Sequence, residues 1–205
     1  QTDWNKEGRM QGWTDISLNE TGRAQAERTI AVFSQLPIDI IVTSHLIRAH
    51  ETANIINRNL QKKIISDSRL QERGFGVFEG QSYAEIAAWK GKVEQDPSLV
   101  IEESGYPLPD KAEPYDAFKN RLVTAITEHL NKAPDKNILF VAHGGVYRVL
   151  HRFFFADAPI SPSKTTKHDP GLFKNTPASP NATPFLFEST DSGWNLHQLG
   201  KEQAA

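Results

Sequence analysis

The chain has 205 residues, a net charge of −2 and no cysteine. That length can build one domain with a sizeable core, and the near-neutral charge excludes a general polyanion binder, so no nucleic-acid partner is expected. The lack of cysteine excludes disulfides, thiolate metal sites and a cysteine nucleophile, and no apolar run approaches the roughly 18 residues of a membrane span.

Gln1–Asp15, QTDWNKEGRMQGWTD, has no period of its own and reads as a loop. Its Trp4, Met10 and Trp13 give it apolar anchors, so a functional loop is expected rather than a disordered one. Asn19 then looks like a helix N-cap, with Ala26, Ile30 and Phe33 as the buried stripe and Pro37 after the end. Ile38–Thr43 is a strand-like apolar run. Ser44 reads as the cap of a second helix with the stripe Ala49, Ala53, Ile56 and Leu60. Arg48 falls in the first turn of that helix, where a cation opposes the helix dipole. The position makes sense if the guanidinium and the free N–H groups face one bound anion; the ordinary alternative is an ion pair with Glu51 or Glu72.

Ile64 and Ile65 mark a short third strand. Leu70–Ser82, LQERGFGVFEGQS, carries two candidate acid–base groups, Glu72 and Glu79, each of which could equally be a solvated carboxylate. Tyr83–Lys90 reads as a short helix, Asp96–Pro114 with its four prolines as a surface excursion, and Ala117–Leu130 as an amphipathic helix. Ile138–Ala142 is an unbroken apolar run, as in a strand buried on both faces. His143, Gly144 and Gly145 follow at once, then a helical pattern at Val146, Val149, Leu150 and Phe153. Ala156–Pro184 holds six of the twelve prolines and reads as irregular. Phe185–Glu188 and Trp194–Leu199 read as an edge hairpin.

This order predicts an α/β fold: a three-layer α/β/α sandwich with a mostly parallel central sheet and a C-terminal antiparallel hairpin. Residues 1–205 form a single domain in this reading, with 74–114 as a small cap excursion and 156–184 as a Pro-rich loop. The turns carrying Arg48 and His143 then share the edge of the sheet where open α/β folds bind ligands. An arginine, a histidine, glycines and a carboxylate on one rim suit phosphate-ester chemistry.

Four stretches in this order resemble the histidine phosphatase superfamily, also called phosphoglycerate mutase-like. TDWNKEGRMQGWTDISLNETGRAQA resembles the segment after the family's N-terminal Arg-His-Gly motif. TSHLIRAHETA resembles its Ser-x-Leu-x-Arg-Ala-x-x-Thr-Ala motif, LQERGFGVFEG its Leu-x-Glu…Glu-Gly stretch, and FVAHGG its second histidine motif. The resemblance implies a phosphatase that hydrolyses small-molecule phosphate monoesters through a phosphohistidine. It implies Arg48 as the phosphate clamp, His143 as a hydrogen-bond donor to the transferring group, and Glu72 as the proton donor to the leaving alkoxide. It places Asn5, Gln11, Gly12 and Gly144 with Arg48 among the substrate-binding residues. No cofactor or metal is expected, since the cations are side chains, and a cytoplasmic location goes with this reading.

Two features leave alternatives open. The family's Gly-Glu-Ser before the long helix stands here as Ala112–Pro114, AEP, so the role of Glu113 is unsettled. The family's phosphorylated histidine matches a position two before Gln1, after an arginine and a buried strand. The nucleophile is therefore expected just upstream of Gln1. A gap one strand wide, about 10 Å instead of 4.8 Å, is expected between Ile138–Ala142 and Phe185–Glu188. The short acidic 91–114 segment, with Glu102, Glu103, Asp110 and Glu113, argues for a phosphatase. A phosphoglycerate mutase is the alternative enzyme, and a non-catalytic phospho-ligand binder the alternative outside enzymes.

Overall fold

The computed structural model describes residues 1–93, 108–155, 183–190 and 193–199. Its helices are α1 (Asp3–Glu7), α2 (Glu20–Phe33), α3 (Ile47–Leu60), α4 (Tyr83–Val93), α5 (Tyr115–Lys132) and α6 (Gly144–Phe155). Its strands are β1 (Ile40–Thr43), β2 (Lys63–Ser66), β3 (Ile138–Val141), β4 (Phe185–Thr190) and β5 (Gly193–Gln198). Residues 94–107, a middle part of the expected 74–114 cap excursion, and 156–182, nearly all of the expected Pro-rich loop, lie outside the described residues.

The parallel sheet has the order β2–β1–β3, in the register Ile41↔Ile64 and Ile41↔Leu139. Alternation along each strand sorts its side chains onto two helical layers. Ile41, Ile64, Leu139 and Val141 pack with Phe33, Ala53 and Ile56 of α2 and α3. Val42, Ile65, Ile138 and Phe140 pack with Phe118, Leu122 and Ala125 of α5 and Val146, Val149 and Leu150 of α6. Short apolar runs with no polar alternation are what a sheet covered on both faces requires, and the result is the α/β/α sandwich.

β4 and β5 pair antiparallel as a separate two-stranded sheet. The hairpin docks on α6 through aromatic rings, with Tyr147 stacked on Phe185 at 4.3 Å and Phe154 set against Phe187 at 5.7 Å. Among the described residues, β3 pairs only with β1 and β4 only with β5. No helix among the described residues is long and apolar enough to cross a membrane.

Two local expectations change. Part of the opening loop is the helix α1. Thr2 and Asn5 form a reciprocal capping box, and Gly8 ends the helix in the left-handed region at φ 67°. Five residues are too few to leave a helical period in the sequence, so only the caps betray it. Ser44 does not cap α3. The cap position is Leu46, and the Ile47 N–H donates instead to Asp15 Oδ1 at 2.7 Å, a carboxylate from the distant opening segment.

Candidate active site

Thr43 of β1 is in register with Val141 of β3. Both strands therefore stop at one level, and the turns that follow are neighbours. Ser44, wholly buried, lies 2.8 Å from His143 Nε2 through its Oγ. The Ser44 N–H donates to the Val141 carbonyl, which locks the turns together. Arg48 leaves the same turn on the first coil of α3, and it is buried to 8% exposure.

A buried guanidinium needs acceptors. Arg48 donates from Nη2 to the Gly12 carbonyl at 2.7 Å and from Nη1 to the Thr14 carbonyl at 3.0 Å. The alternative partner Glu51 instead accepts the Leu18 N–H and pairs with Arg23. Burial pushes the Arg48 guanidinium below its ordinary range, and the negative field of Glu72, Asp15 and Glu79 opposes that in part.

Glu72 reaches the start of α6. Its Oε2 accepts the Gly145 N–H at 3.0 Å and its Oε1 the Arg73 N–H at 2.9 Å. A Cβ at position 145 would run into that carboxylate, so only glycine allows the approach. Gly144, by contrast, is exposed, and a Cβ there would meet nothing. His143 is partly exposed at the rim, yet atoms crowd its ring. Burial first, then the positive charges of Arg48, Arg121 and His45, hold it well below the usual imidazole range. The unliganded ring is thus neutral at pH 7, in a positive field that an incoming anion would reverse.

Asn5 and Gln11 are tied to one another through Thr2, which is 1% exposed. The Asn5 carboxamide oxygen accepts from the Thr2 N–H, and the Gln11 oxygen from the Thr2 hydroxyl at 2.8 Å. With both oxygens engaged, the amide N–H groups are the ends these side chains have to offer an anion. Gly12, at φ 58°, meets the site through its carbonyl on Arg48.

Glu79, the other candidate acid–base group, serves elsewhere. Its oxygens accept from the N–H groups of Trp13, Thr14 and Phe75 and from the Thr14 hydroxyl. It fastens the 12–14 loop whose carbonyls hold Arg48.

Sequence reading passed over three contributors: Thr2, Ser44 as the partner of His143, and an Arg121–Glu113 pair. For Arg121 a signal was present. It lies three residues after Phe118 and one before Leu122 on the buried stripe of α5, where a charge calls for an internal partner.

The assembly is thus a cationic and hydrogen-bonding rim around a carboxylate at a helix start, an arrangement able to hold a phosphate group and exchange a proton beside it. A family model described as "Histidine phosphatase superfamily (branch 1)" matches residues 1–174. The "Uncharacterized phosphatase PhoE" of Bacillus subtilis is 35% identical over 154 residues, 73% of this chain and 70% of that protein. "Phosphoglycerate mutase-like protein 4" of Arabidopsis thaliana is 34% identical over 153 residues, 74% of this chain and 66% of that one. The solved structure of Bacillus stearothermophilus YhfR superimposes with a TM-score of 0.78 at 26% identity, covering 98% of this chain and 92% of that one.

Proposed function

The chain belongs to the histidine phosphatase superfamily, and from that premise we propose a metal-independent phosphatase of small-molecule phosphate monoesters. The observation that carries the reading is the Glu72 carboxylate on the Gly145 N–H, two residues after His143 and within the field of Arg48.

In this mechanism a histidine nitrogen, expected from the resemblance upstream of Gln1, attacks phosphorus in line. The P–N bond forms as the P–O bond to the leaving group breaks. Glu72 gives its proton to the departing alkoxide. Water then attacks the phosphohistidine, Glu72 recovers a proton from it, and the P–N bond breaks to release phosphate. Arg48 presents a planar fork to the equatorial oxygens. His143 takes up a proton as the dianion enters and then donates to it. Asn5, Gln11 and the Gly144 N–H are the further donors, and Gly12 holds Arg48 in place. The positive charge comes from side chains, so the scheme calls for no metal ion.

The short acidic 91–114 segment supports hydrolysis over transfer to a second acidic group. Its Glu113 is already spent on Arg121. The test uses the full-length protein with 3-phosphoglycerate and a bisphosphoglycerate primer, scored for phosphate release and for isomerisation, with alkaline trapping of an acid-labile phosphoenzyme. Phosphate release with a trapped phosphoenzyme is expected. Isomerisation exceeding release would establish a mutase, and a full-length protein with neither activity would leave a phospho-ligand binder.

A further inference from the structure

Beneath Glu72 lies a half-buried clamp that this mechanism does not use. Arg121 has five N–H donors, and all five are engaged. Its Nε and Nη2 take the two oxygens of Glu113 at 2.6 and 2.8 Å. Its Nη1 donates to the Arg69 carbonyl at 2.6 Å and the Gln71 carbonyl at 2.9 Å, and Nη2 also donates to the Glu72 carbonyl at 2.8 Å. Glu113 is 8% exposed and stitches the same segment again. Its carbonyl accepts from Arg73 Nε at 2.8 Å, and its N–H donates to the Gly74 carbonyl at 2.9 Å. The Trp13 indole N–H adds a second bond to the Glu72 carbonyl, also at 2.8 Å.

One guanidinium thus gathers three carbonyls of a four-residue stretch that ends at Glu72. The cation is paired with its own carboxylate, and beyond its share of the positive field at His143 it gives the site something else. What the site gains is a fixed main chain under the residue that must meet the leaving oxygen, where a displacement of 1 Å is expensive. We propose that Arg121, balanced by Glu113, is a positioning residue that sets Glu72 for proton transfer. The inference rests on the reading of Glu72 as proton donor. It also gives Glu113, which stands in an altered motif, a definite task.

The discriminating variant is Arg121→Lys in the full-length protein, which keeps a positive charge for Glu113 but loses the planar fork. The readout is kcat/KM, which reports the step that expels the leaving group, for 3-phosphoglycerate and for p-nitrophenyl phosphate. Glu72→Gln is measured beside it. Arg121→Lys is expected to lose roughly 10- to 100-fold on the alkyl ester and less than about 3-fold on the activated aryl ester, the bias that loss of an acid produces. Equal losses on both esters, or none in a folded protein, would overturn the inference while Glu72→Gln keeps its bias. Glu72→Gln without the bias would overturn the acid role and this inference with it. Should Arg121→Lys fail to fold, the double variant Glu113→Gln with Arg121→Met, which leaves no unpaired buried charge, decides by the same comparison.

Discussion

Ser44 Oγ and His143 Nε2 stand 2.8 Å apart although 99 residues separate them in the chain. A protonated imidazole has only donors, so the charged ring must place its Nε2–H on the serine oxygen. The same oxygen already accepts the Leu46 N–H at 3.2 Å. Ser44→Ala should therefore cost about 1–2 kcal/mol of stability, read from urea denaturation, and should raise the KM for phosphate esters. An unchanged KM would mean that the serine only braces the turn.

His143 gives the stability a pH dependence. Its imidazole is held well below the usual range by burial and then by Arg48, Arg121 and His45, whereas in the unfolded chain it titrates near 6.5. The unfolded state thus binds the extra proton first. The contribution is present above about pH 6.5 and is lost progressively as pH falls below that value towards the lower folded one. The melting temperature should drop between pH 7.5 and 5.5, and the drop should be smaller in His143→Asn.

The same ring should take up a proton when a dianion binds. Sulfate stays dianionic across this range, so its affinity should rise as pH falls from 7.5 to 5.5. Calorimetry in buffers of different ionisation heat should show up to about one proton gained per sulfate. A pH-independent affinity would remove His143 from the anion site.

Gly145→Ala separates folding from chemistry. The added methyl meets the far end of the Glu72 side chain and, more gently, the Phe118 ring at 3.2 Å. A carboxylate can swing away, and alanine favours the helix, so stability should stay within about 1 kcal/mol of the parent. Alkyl phosphate turnover should fall roughly 10- to 100-fold because the acid is displaced. A calorimetric melt and a steady-state assay on one sample check both halves.

Glu79→Gln should behave in the opposite way. The amide has one oxygen for the four donors that Glu79 now satisfies. A loss of roughly 2–3 kcal/mol is expected, with alkyl and aryl esters slowed alike because the damage passes through the loop that holds Arg48. A selective loss on alkyl esters would make Glu79 an acid in its own right.

Much of this was legible because apolar strands, glycines and a histidine at a strand end have local signatures. The pattern at Ile138–Gly145 foretold the strand β3, which is partly buried at Ile138–Phe140 and buried at Val141, and the turn at its end. Apart from the family resemblance, which singled out Glu72, the two glutamates could not be told apart, since both lie in Gly-rich sequence and differ only in what the fold brings to them. Glu72 meets the start of α6, and Glu79 meets backbone donors of its own loop and of residues 13–14. Ser44 misled for a related reason. A serine before a helix is a good cap, but Asp15 arrives from 32 residues away to take the Ile47 N–H, while the hydroxyl oxygen accepts the Leu46 N–H and lies against His143.

The alignment of β1 with β3 also bears on how the protein comes to fold. Helix α3 and its Arg48 take their partners Gly12, Thr14 and Asp15 from the preceding sequence, but the histidine reaches them only when β3 docks about a hundred residues later. Non-local pairing of this kind forms slowly, because the loop must close before the contacts repay it. An early species with α2, α3, β1 and β2 in place would have half a site and little hold on a dianion. Phosphate or sulfate would then favour the completed sheet by mass action. Such ions should slow unfolding while leaving the first steps of refolding at their ion-free rate.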